Sequence, residues 1–198
     1  MAERSYRILL WTLAVVGVVA DQATKYGVFA WLSRVENHTF VVLRLAPEEG
    51  FQLHAEFLTG PDGQMVPHVN QGALFGFLNN HRGAANLGFA VISLLAAVAI
   101  VYWSRQKGVA RDPWLCAALG LILAGTLGNL YDRLVFNGVR DFLHWNYLVN
   151  WPVFNVADCC LVLGAFLLLF QAFGTQTATG PTAARPVAAG GVSCAPEN

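Results

Sequence analysis

The sequence predicts an all-α polytopic membrane protein with four transmembrane helices and a small extracytoplasmic antiparallel β-sheet in the first loop. Its 198 residues are 56% hydrophobic and 12% charged, with a mean hydropathy of +0.48, which is too apolar for an ordinary soluble domain. Four apolar runs are long enough to cross a hydrocarbon core of about 30 Å. The loop 33–70 alternates apolar and polar residues in places, as half-buried strands do.

Composition also excludes several functions. Twelve basic residues balance twelve acidic ones, so nothing indicates binding to nucleic acid. The four cysteines, Cys116, Cys159, Cys160 and Cys194, have neither metal-ligand spacing nor a disulfide framework. The histidines of the first loop show no ligand pattern either and are interpreted as surface residues. We therefore expect no metal and no cofactor.

The first span is predicted at about 8–31. Arg4 and Arg7 followed by the apolar run Ile8–Ala20 resemble a signal peptide. Three further spans follow, however, and polar residues of interest come directly after Ala20. We therefore interpret the run as a retained transmembrane helix.

Asp21 and Lys25 lie near the outer end of this first span. They are four residues apart, so they share one helix face and can pair. An ion pair that holds the helix against its neighbours explains both residues without any direct chemical role.

The first loop, 33–70, is predicted to contain the β-sheet. The segment 39–45 is apolar and β-branched, and apolar residues alternate with polar ones over 51–57. The segment 59–64, TGPDGQ, is typical of a turn, and 65–69 is the candidate return strand. We expect the apolar face of this sheet to lie on the membrane or over the mouth of an active site.

The charges predict the orientation of the chain. The second span, 84–104, leads into a short segment, 105–111, that holds three basic residues, and two more precede the first span. By the positive-inside rule, the N-terminus and this segment lie in the cytoplasm. The first loop and the turn after the third span then lie outside.

The remaining chain contains two spans and a tail. The third span is predicted at 114–131, with Asn129, Asp132 and Arg133 at its outer end, and the fourth at 156–173. Aromatic residues between them, over 144–151, are interpreted as an interfacial belt. The tail 174–198 is rich in Gly, Ala, Pro and Thr without periodicity, which predicts a disordered cytoplasmic segment. We thus expect one integral membrane domain over 1–173.

Two carboxylates flank the turn between the last two spans. Asp141 and Asp158 are seventeen residues apart, so the fold can bring them face to face. Ionisable groups at membrane depth are costly and usually functional, and paired carboxylates suit acid–base chemistry. Asn155 shares a helix face with Asp158 and can bind it. We find neither a serine or cysteine nucleophile with a paired base nor a helical zinc motif.

Five short blocks carry a family resemblance. In order along the chain, they are DQATK (21–25), NQGALFGFL (70–78), GNLYDR (128–133), GVRDF (138–142) and FNVAD (154–158). In this order and spacing they resemble the motifs of lipoprotein signal peptidase, also called signal peptidase II, an aspartic peptidase family. The resemblance covers roughly residues 8–173.

The resemblance assigns roles to the matched positions and implies no cofactor. The catalytic pair is Asp141 and Asp158. The substrate-binding residues are Asn70, Gly72, Asn129, Arg133 and Asn155. The supporting residues are Asp21, Lys25, Asp132 and Ala157, with Asp132 expected to position Arg133.

The resemblance also implies an activity. The enzyme removes the signal peptide of prolipoproteins by cleaving just before a diacylglyceryl-modified cysteine, in the bacterial cytoplasmic (inner) membrane and in contact with its lipid. One carboxylate is ionised and one protonated, and a water between them attacks the scissile carbonyl. The site forms within one chain, so we expect a monomer with both termini in the cytoplasm and the active site at the outer face.

A small transporter or proton relay that uses the intramembrane carboxylates is the alternative. Such proteins need inverted repeats or broken helices that cross the bilayer. The sequence shows no internal repeat, and its polar residues cluster at one membrane face. A non-catalytic scaffold that keeps the fold is a further possibility, although both aspartates and all five blocks are present.

Overall fold

The computed structural model describes residues 5–47, 49–72 and 82–176. The helices in this part of the chain are α1 (Arg7–Leu32), α2 (Arg82–Trp103), α3 (Lys107–Arg111), α4 (Pro113–Phe136) and α5 (Val156–Gln176). All but the short α3 are long and apolar enough to cross a membrane. The four predicted transmembrane helices are therefore confirmed.

Helix α4 is the centre of the bundle. About 61% of its most apolar stretch is buried inside the protein, compared with 17–28% for the other three long helices. It packs against α1, α2 and α5, and its neighbours turn large apolar side chains outward, for example Val15, Ile92 and Phe166. Those outward faces suit contact with lipid, and polar side chains on α4 are shielded from it.

Two helices end later than the predicted spans, and the later end of α4 affects the site. Helix α4 continues to Phe136 and ends where Asn137 adopts a left-handed conformation (φ 58°), so Asp132 and Arg133 also lie within the helix. Helix α5 continues to Gln176. Residues 177–198, most of the predicted disordered tail, lie outside the described residues, as do residues 73–78 of the block NQGALFGFL.

The predicted antiparallel sheet in the first loop is also present. The strands are β1 (Thr39–Ala46), β2 (Glu49–His54), β3 (Phe57–Thr59), β4 (Met65–Pro67) and β5 (Leu143–Trp145). Strands β1, β2 and β5 form one antiparallel sheet in that order, and β3 pairs with β4 in a second. The turn predicted at 59–64 connects β3 to β4.

The strand expected over 51–57 is two strands. The backbone breaks at Ala55, whose amide donates to the His38 carbonyl (3.1 Å) and whose side chain is buried beside Phe29 and Phe142. This contact turns the chain away from β1, and a separate hairpin begins at Phe57.

Strand β5 is absent from the sequence prediction, which interprets its residues as part of an interfacial aromatic belt. Phe51 and Leu53 of β2 lie opposite Trp145 and Leu143. The first loop is thereby joined to the segment between α4 and α5, which positions the two halves of the site.

Candidate functional site

Asp141 lies between α4 and β5 and accepts two amide hydrogen bonds. Asn70 Nδ2 donates to its Oδ2 (3.1 Å), and Asn155 Nδ2 donates to its Oδ1 (2.7 Å). Burial, together with the negative charge of Asp158, raises the pKa of Asp141 to about 6 despite these two donors. Asp141 is thus a carboxyl group that holds a proton more readily than an exposed aspartate.

Asn70 reaches Asp141 because its segment is paired with the chain just before the aspartate. The backbones of Asn70 and Val139 exchange hydrogen bonds of 2.7 and 2.9 Å, and the Gly72 amide donates to Asn70 Oδ1 (2.9 Å). Gly72 has a φ of +87°, and a Cβ atom there would lie 2.4 Å from the Phe89 ring. Glycine is therefore required at this turn.

Asp158 is the third residue of α5, and Asn155 caps that helix. The Asp158 amide donates to Asn155 Oδ1 (3.0 Å), and the Asn155 amide donates back to Asp158 Oδ2 (3.1 Å). This reciprocal arrangement is a capping box built from asparagine and aspartate. The Asp158 carboxylate therefore lies at the positive end of the α5 dipole.

Two asparagines connect the carboxylates. Asn129 Nδ2 donates to Asp158 Oδ1 (2.8 Å), and Asn155 Nδ2 donates to Asn129 Oδ1 (3.2 Å) as well as to Asp141. The structure therefore brings Asp141 and Asp158, which the sequence predicts as a pair, into one hydrogen-bonded cluster with Asn70, Asn129 and Asn155.

Lys25 is hydrogen-bonded to this cluster. Its ammonium group donates to Asp21 Oδ2 (2.9 Å) and to Asn129 Oδ1 (3.1 Å), and it lies 3.4 Å from Asp132 Oδ2. The side chains of Lys25, Asp21 and Asp132 are fully buried. Buried charges are tolerated when they are paired and hydrogen-bonded, so Lys25 is held firmly and in turn orients the Asn129 amide.

Asp21 anchors the first turn of α5. Its Oδ1 accepts a hydrogen bond from the Ala157 amide (2.9 Å), next to Asp158 in the chain. Ala157 is itself fully buried. The supporting positions Asp21, Lys25 and Ala157 thus meet at one point between α1, α4 and α5.

Asp132 binds Arg140 rather than the neighbouring Arg133, which we expected it to position. Arg140 donates to the Asp132 carboxylate through its amide (3.0 Å), Nε (3.2 Å) and Nη2 (2.9 Å). Adjacent residues on a helix do not face each other, so the Asp132 side chain points away from Arg133. The Arg140 guanidinium also lies over the rings of Tyr26 and Phe136, 4.2 and 4.0 Å from their centroids.

Arg133 is a candidate donor towards a substrate. Its Nη1 donates to the Asn129 carbonyl (3.3 Å), whereas its buried Nε makes no hydrogen bond within the described part of the chain. Electrostatic attraction links its guanidinium to Asp141 and Asp158. Arg133 therefore adds positive charge to a site with two acidic groups.

Sequence reasoning missed two residues of the supporting network. Arg140 belongs to the block GVRDF and Gln22 to the block DQATK, and neither was expected to have a role. Gln22 Nε2 donates to Asp21 Oδ2 (2.9 Å), and Gln22 Oε1 accepts from Arg140 Nη2 (3.0 Å). The sequence could have indicated both residues, because each is a long polar side chain within one of the five blocks that carry the family resemblance.

A pocket of about 280 Å³ opens beside Asp141. Its lining includes Asp141 and Val139, together with His54, Glu56 and Asn70 of the first loop. Among the described residues, no group of three or more His, Cys, Asp or Glu is placed to hold a metal ion. The polar groups that meet at this site are the carboxylates of Asp141 and Asp158, asparagine amides and the Arg133 guanidinium.

Comparison with known proteins gives consistent results. The family model described as signal peptidase (SPase) II matches residues 13–174. Similar proteins include the lipoprotein signal peptidases of Pseudoalteromonas translucida (35% identical, covering 87% of this chain and 92% of the relative) and Pseudomonas syringae pv. tomato (34%, 87% and 89%). That of Rhodopirellula baltica is 45% identical over 83% of this chain and 71% of the relative.

Solved structures share the fold. One, described as a bacterial membrane enzyme determined by the in meso method at 2.3 Å resolution, superposes with a TM-score of 0.71 at 24% identity. The match covers 93% of this chain and 99% of that one. This chain and that membrane enzyme therefore share one fold.

Proposed function

Because this chain belongs to the signal peptidase II family, we propose that it removes signal peptides from prolipoproteins, cleaving just before the diacylglyceryl-modified cysteine. The lipoprotein signal peptidases quoted above support the substrate class. One observation carries the aspartic mechanism. Asp141 and Asp158, on either side of the turn that leads into α5, meet in one cluster joined by Asn129 and Asn155.

We assign different protonation states to the two carboxyl groups. The pKa of Asp141, raised to about 6 by burial and by the Asp158 charge, supports Asp141 as the member that holds the proton. Asp158, at the N-terminus of α5 and hydrogen-bonded by Asn129 and Asn155, is then assigned as the member that accepts the proton of the attacking water. Two close carboxyl groups share one proton more cheaply than they ionise together.

The reaction then needs no covalent intermediate. Water, held between the carboxyl groups, adds to the scissile carbonyl carbon and gives its proton to Asp158, while Asp141 gives its proton to the carbonyl oxygen. In the second step the C–N bond breaks. The proton on Asp158 passes to the leaving cysteine nitrogen, and the proton of the tetrahedral hydroxyl returns to Asp141. The products are a signal peptide with a free carboxyl terminus and a lipoprotein with a free amine.

Amides and one guanidinium surround this centre and are suited to the peptide backbone. Asn70, Gly72 and Asn155 lie on the Asp141 side, and Asn129 and Arg133 lie on α4. We assign substrate binding to these five residues. Asp21, Lys25, Asp132 and Ala157 are buried and hold the binding residues in place.

The orientation follows from the charges. Arg4 and Arg7 at the start of the chain and the basic residues around α3 support a cytoplasmic N-terminus and a cytoplasmic α2–α4 connection. With four crossings, the C-terminus is then cytoplasmic too, and the site lies at the outer face. The signal peptide and its lipid enter from the bilayer between helices, and water reaches the cut from outside. Each monomer contains a whole site.

The transporter alternative is not favoured. A family of peptidases matches residues 13–174, and the polar cluster around Asp141 and Asp158 lies where α1, α4, α5 and the first loop meet.

The test is cleavage of a diacylglyceryl-modified model prolipoprotein by the purified protein in detergent. We expect the wild type to release the signal peptide, and Asp141→Asn and Asp158→Asn each to lower the rate by at least ~10²–10⁴-fold. Asp62→Asn, which changes an exposed aspartate of the β3–β4 turn, is the matched control and should cleave normally. Near wild-type activity in either site variant, with all proteins folded, would exclude the aspartic mechanism.

A further inference from the structure

The first loop contributes ionisable side chains to the pocket. The lining includes His54, Glu56 and His68, and among the described residues that line it there is no lysine or arginine. Lys25 and Arg133, whose charges act on Asp141, belong to the helices α1 and α4. Glu56 is thus a carboxylate of the pocket that the proposed mechanism does not use.

Glu56 is held in position. The His68 amide donates to the Glu56 carbonyl (2.8 Å), which fixes the two residues across the β3–β4 hairpin. His68 Nδ1 lies 2.7 Å from Glu56 Oε2, and His54 Nε2 lies 3.9 Å from Oε1. His54 is itself fixed by a hydrogen bond of 2.8 Å between its Nδ1 and Thr39 Oγ1. The carboxylate is thus oriented by two imidazoles but remains 61% exposed, so a ligand can reach it.

The position of this carboxylate indicates which part of a substrate meets it. In the proposed function the signal peptide lies in the bilayer among the helices. Glu56 belongs to the first loop and lines the same pocket as Asp141, so we expect the chain on the other side of the cut to leave towards water along this loop. Asp141 is one of the residues that line the pocket, and an extended residue spans only about 3.3–3.6 Å. We therefore expect the residue directly after the modified cysteine to reach the pocket.

We propose that the part of the pocket lined by His54, Glu56 and His68 is a specificity subsite for the residue that follows the modified cysteine. This subsite favours a positively charged side chain. This rests on the proposed function. A lysine ammonium gains an ion pair with Glu56, whereas a glutamate meets a like charge. Because Glu56 is more than half exposed, the gain is modest, and we expect about a 3–10-fold preference in kcat/KM for lysine over glutamate.

The experiment uses diacylglyceryl-modified substrates that carry Lys, Gln or Glu directly after the cysteine and are otherwise identical. We expect the Lys:Glu ratio of kcat/KM to fall to about one in Glu56→Gln and to invert in Glu56→Lys. It should also shrink from low to high salt, because exposed charges are screened. Glu49→Gln, which removes an exposed carboxylate at the far end of β2, should keep the wild-type ratio.

The outcomes separate the subsite from the proposed function. Equal cleavage of all three substrates by the wild type, or an unchanged ratio in Glu56→Lys, overturns the subsite while leaving the peptidase intact. If the wild type cleaves none of them, both proposals fail. All of the substituted positions are exposed, so the variants are expected to fold, which thermal unfolding in detergent checks.

Discussion

Asn155 and Asp158 hold each other through two hydrogen bonds, from the Asp158 amide to Asn155 Oδ1 (3.0 Å) and from the Asn155 amide to Asp158 Oδ2 (3.1 Å). The same Asn155 side chain donates to Asp141 over 2.7 Å. One residue therefore caps α5, orients one carboxylate and binds the other. The cap is structural and the contact with Asp141 is functional, so substitutions of Asn155 can separate the two contributions.

Asn155→Ser should keep stability and lose activity. Serine caps a helix about as well as asparagine does, but it has no amide group to donate to Asp141 or to Asn129. We expect thermal unfolding close to that of the wild type and a fall in kcat of at least about tenfold. Asn155→Ala removes the cap as well and should cost about a further 1 kcal/mol of stability. Equal stability of the two variants would contradict the capping role, and full activity of the serine variant would contradict the donor role.

Activity should fall as the pH rises above about 6. Burial and the Asp158 charge raise the pKa of Asp141 to about 6, so its proton is retained to a higher pH than in an exposed aspartate and is lost above that value. The proposed mechanism needs this proton, and kcat/KM should therefore drop about tenfold per pH unit on the alkaline side. A rate that rises between pH 6 and 8 would contradict the assignment of the proton to Asp141.

Asn70→Ala should move that alkaline limb to higher pH. Asn70 Nδ2 donates to the Asp141 carboxylate and so stabilises the ionised form, which lowers the pKa of Asp141. Without the donor, Asp141 keeps its proton longer, whatever the change in absolute rate. Gln71→Ala is the matched control, because its side chain binds the Asn137 carbonyl instead. An unmoved limb in Asn70→Ala would show that this hydrogen bond does not govern the titration.

Arg140→Met should be strongly destabilising. Arg140 is 2% exposed and makes three hydrogen bonds to the buried Asp132, two of which the substitution removes. Loss of one partner of a buried ion pair typically costs about 3–5 kcal/mol. Arg140→Lys should recover only part of this, since an ammonium cannot reproduce the two-pronged contact. The exposed Arg44→Met in β1 is the control.

Thermal unfolding in detergent measures this cost, and the double variant Arg140→Met/Asp132→Asn completes the cycle. The double variant should be less destabilised than the two single variants added together, because neither charge is then left alone. Wild-type stability of Arg140→Met would show that Lys25 and Gln22 alone satisfy Asp132.

The sequence predicted the membrane helices and the meeting of Asp141 with Asp158 because both depend on strong signals. Long apolar runs determine the helices, and a short connection between antiparallel spans brings its two ends together. Strand β5 carries no such signal. Three residues are too few to show the apolar–polar alternation of a strand, and its partner β2 lies about ninety residues earlier in the chain.

The sequence pattern also could not predict which arginine binds Asp132. Two arginines, Arg133 and Arg140, lie near it in sequence, and the choice depends on side-chain direction at the end of α4. The aromatic rings of Tyr26 and Phe136 favour Arg140, and one of these rings comes from another helix. Tertiary contacts of this kind are not encoded in any local spacing.

Gly128→Ala should impair both stability and activity. A Cβ atom at Gly128 would lie 2.6 Å from Asp21 Oδ2 and 3.2 Å from Ala157 Cβ, so the methyl group has to displace the carboxylate that anchors the Ala157 amide. Overpacking of this kind typically costs about 1–3 kcal/mol, which exceeds the gain of up to about 1 kcal/mol from replacing a helical glycine.

Gly27→Ala is the matched control, because it lies in α1 and the added methyl group would meet no described atom within 4 Å, so it should be neutral or slightly stabilising. The first turn of α5 holds Asp158, so a displaced Asp21 in Gly128→Ala should also lower kcat by about tenfold or more. Thermal unfolding and cleavage rates, measured on both variants, test this. If Gly128→Ala matches Gly27→Ala in both, the close contact between α1, α4 and α5 does not position the catalytic carboxylate.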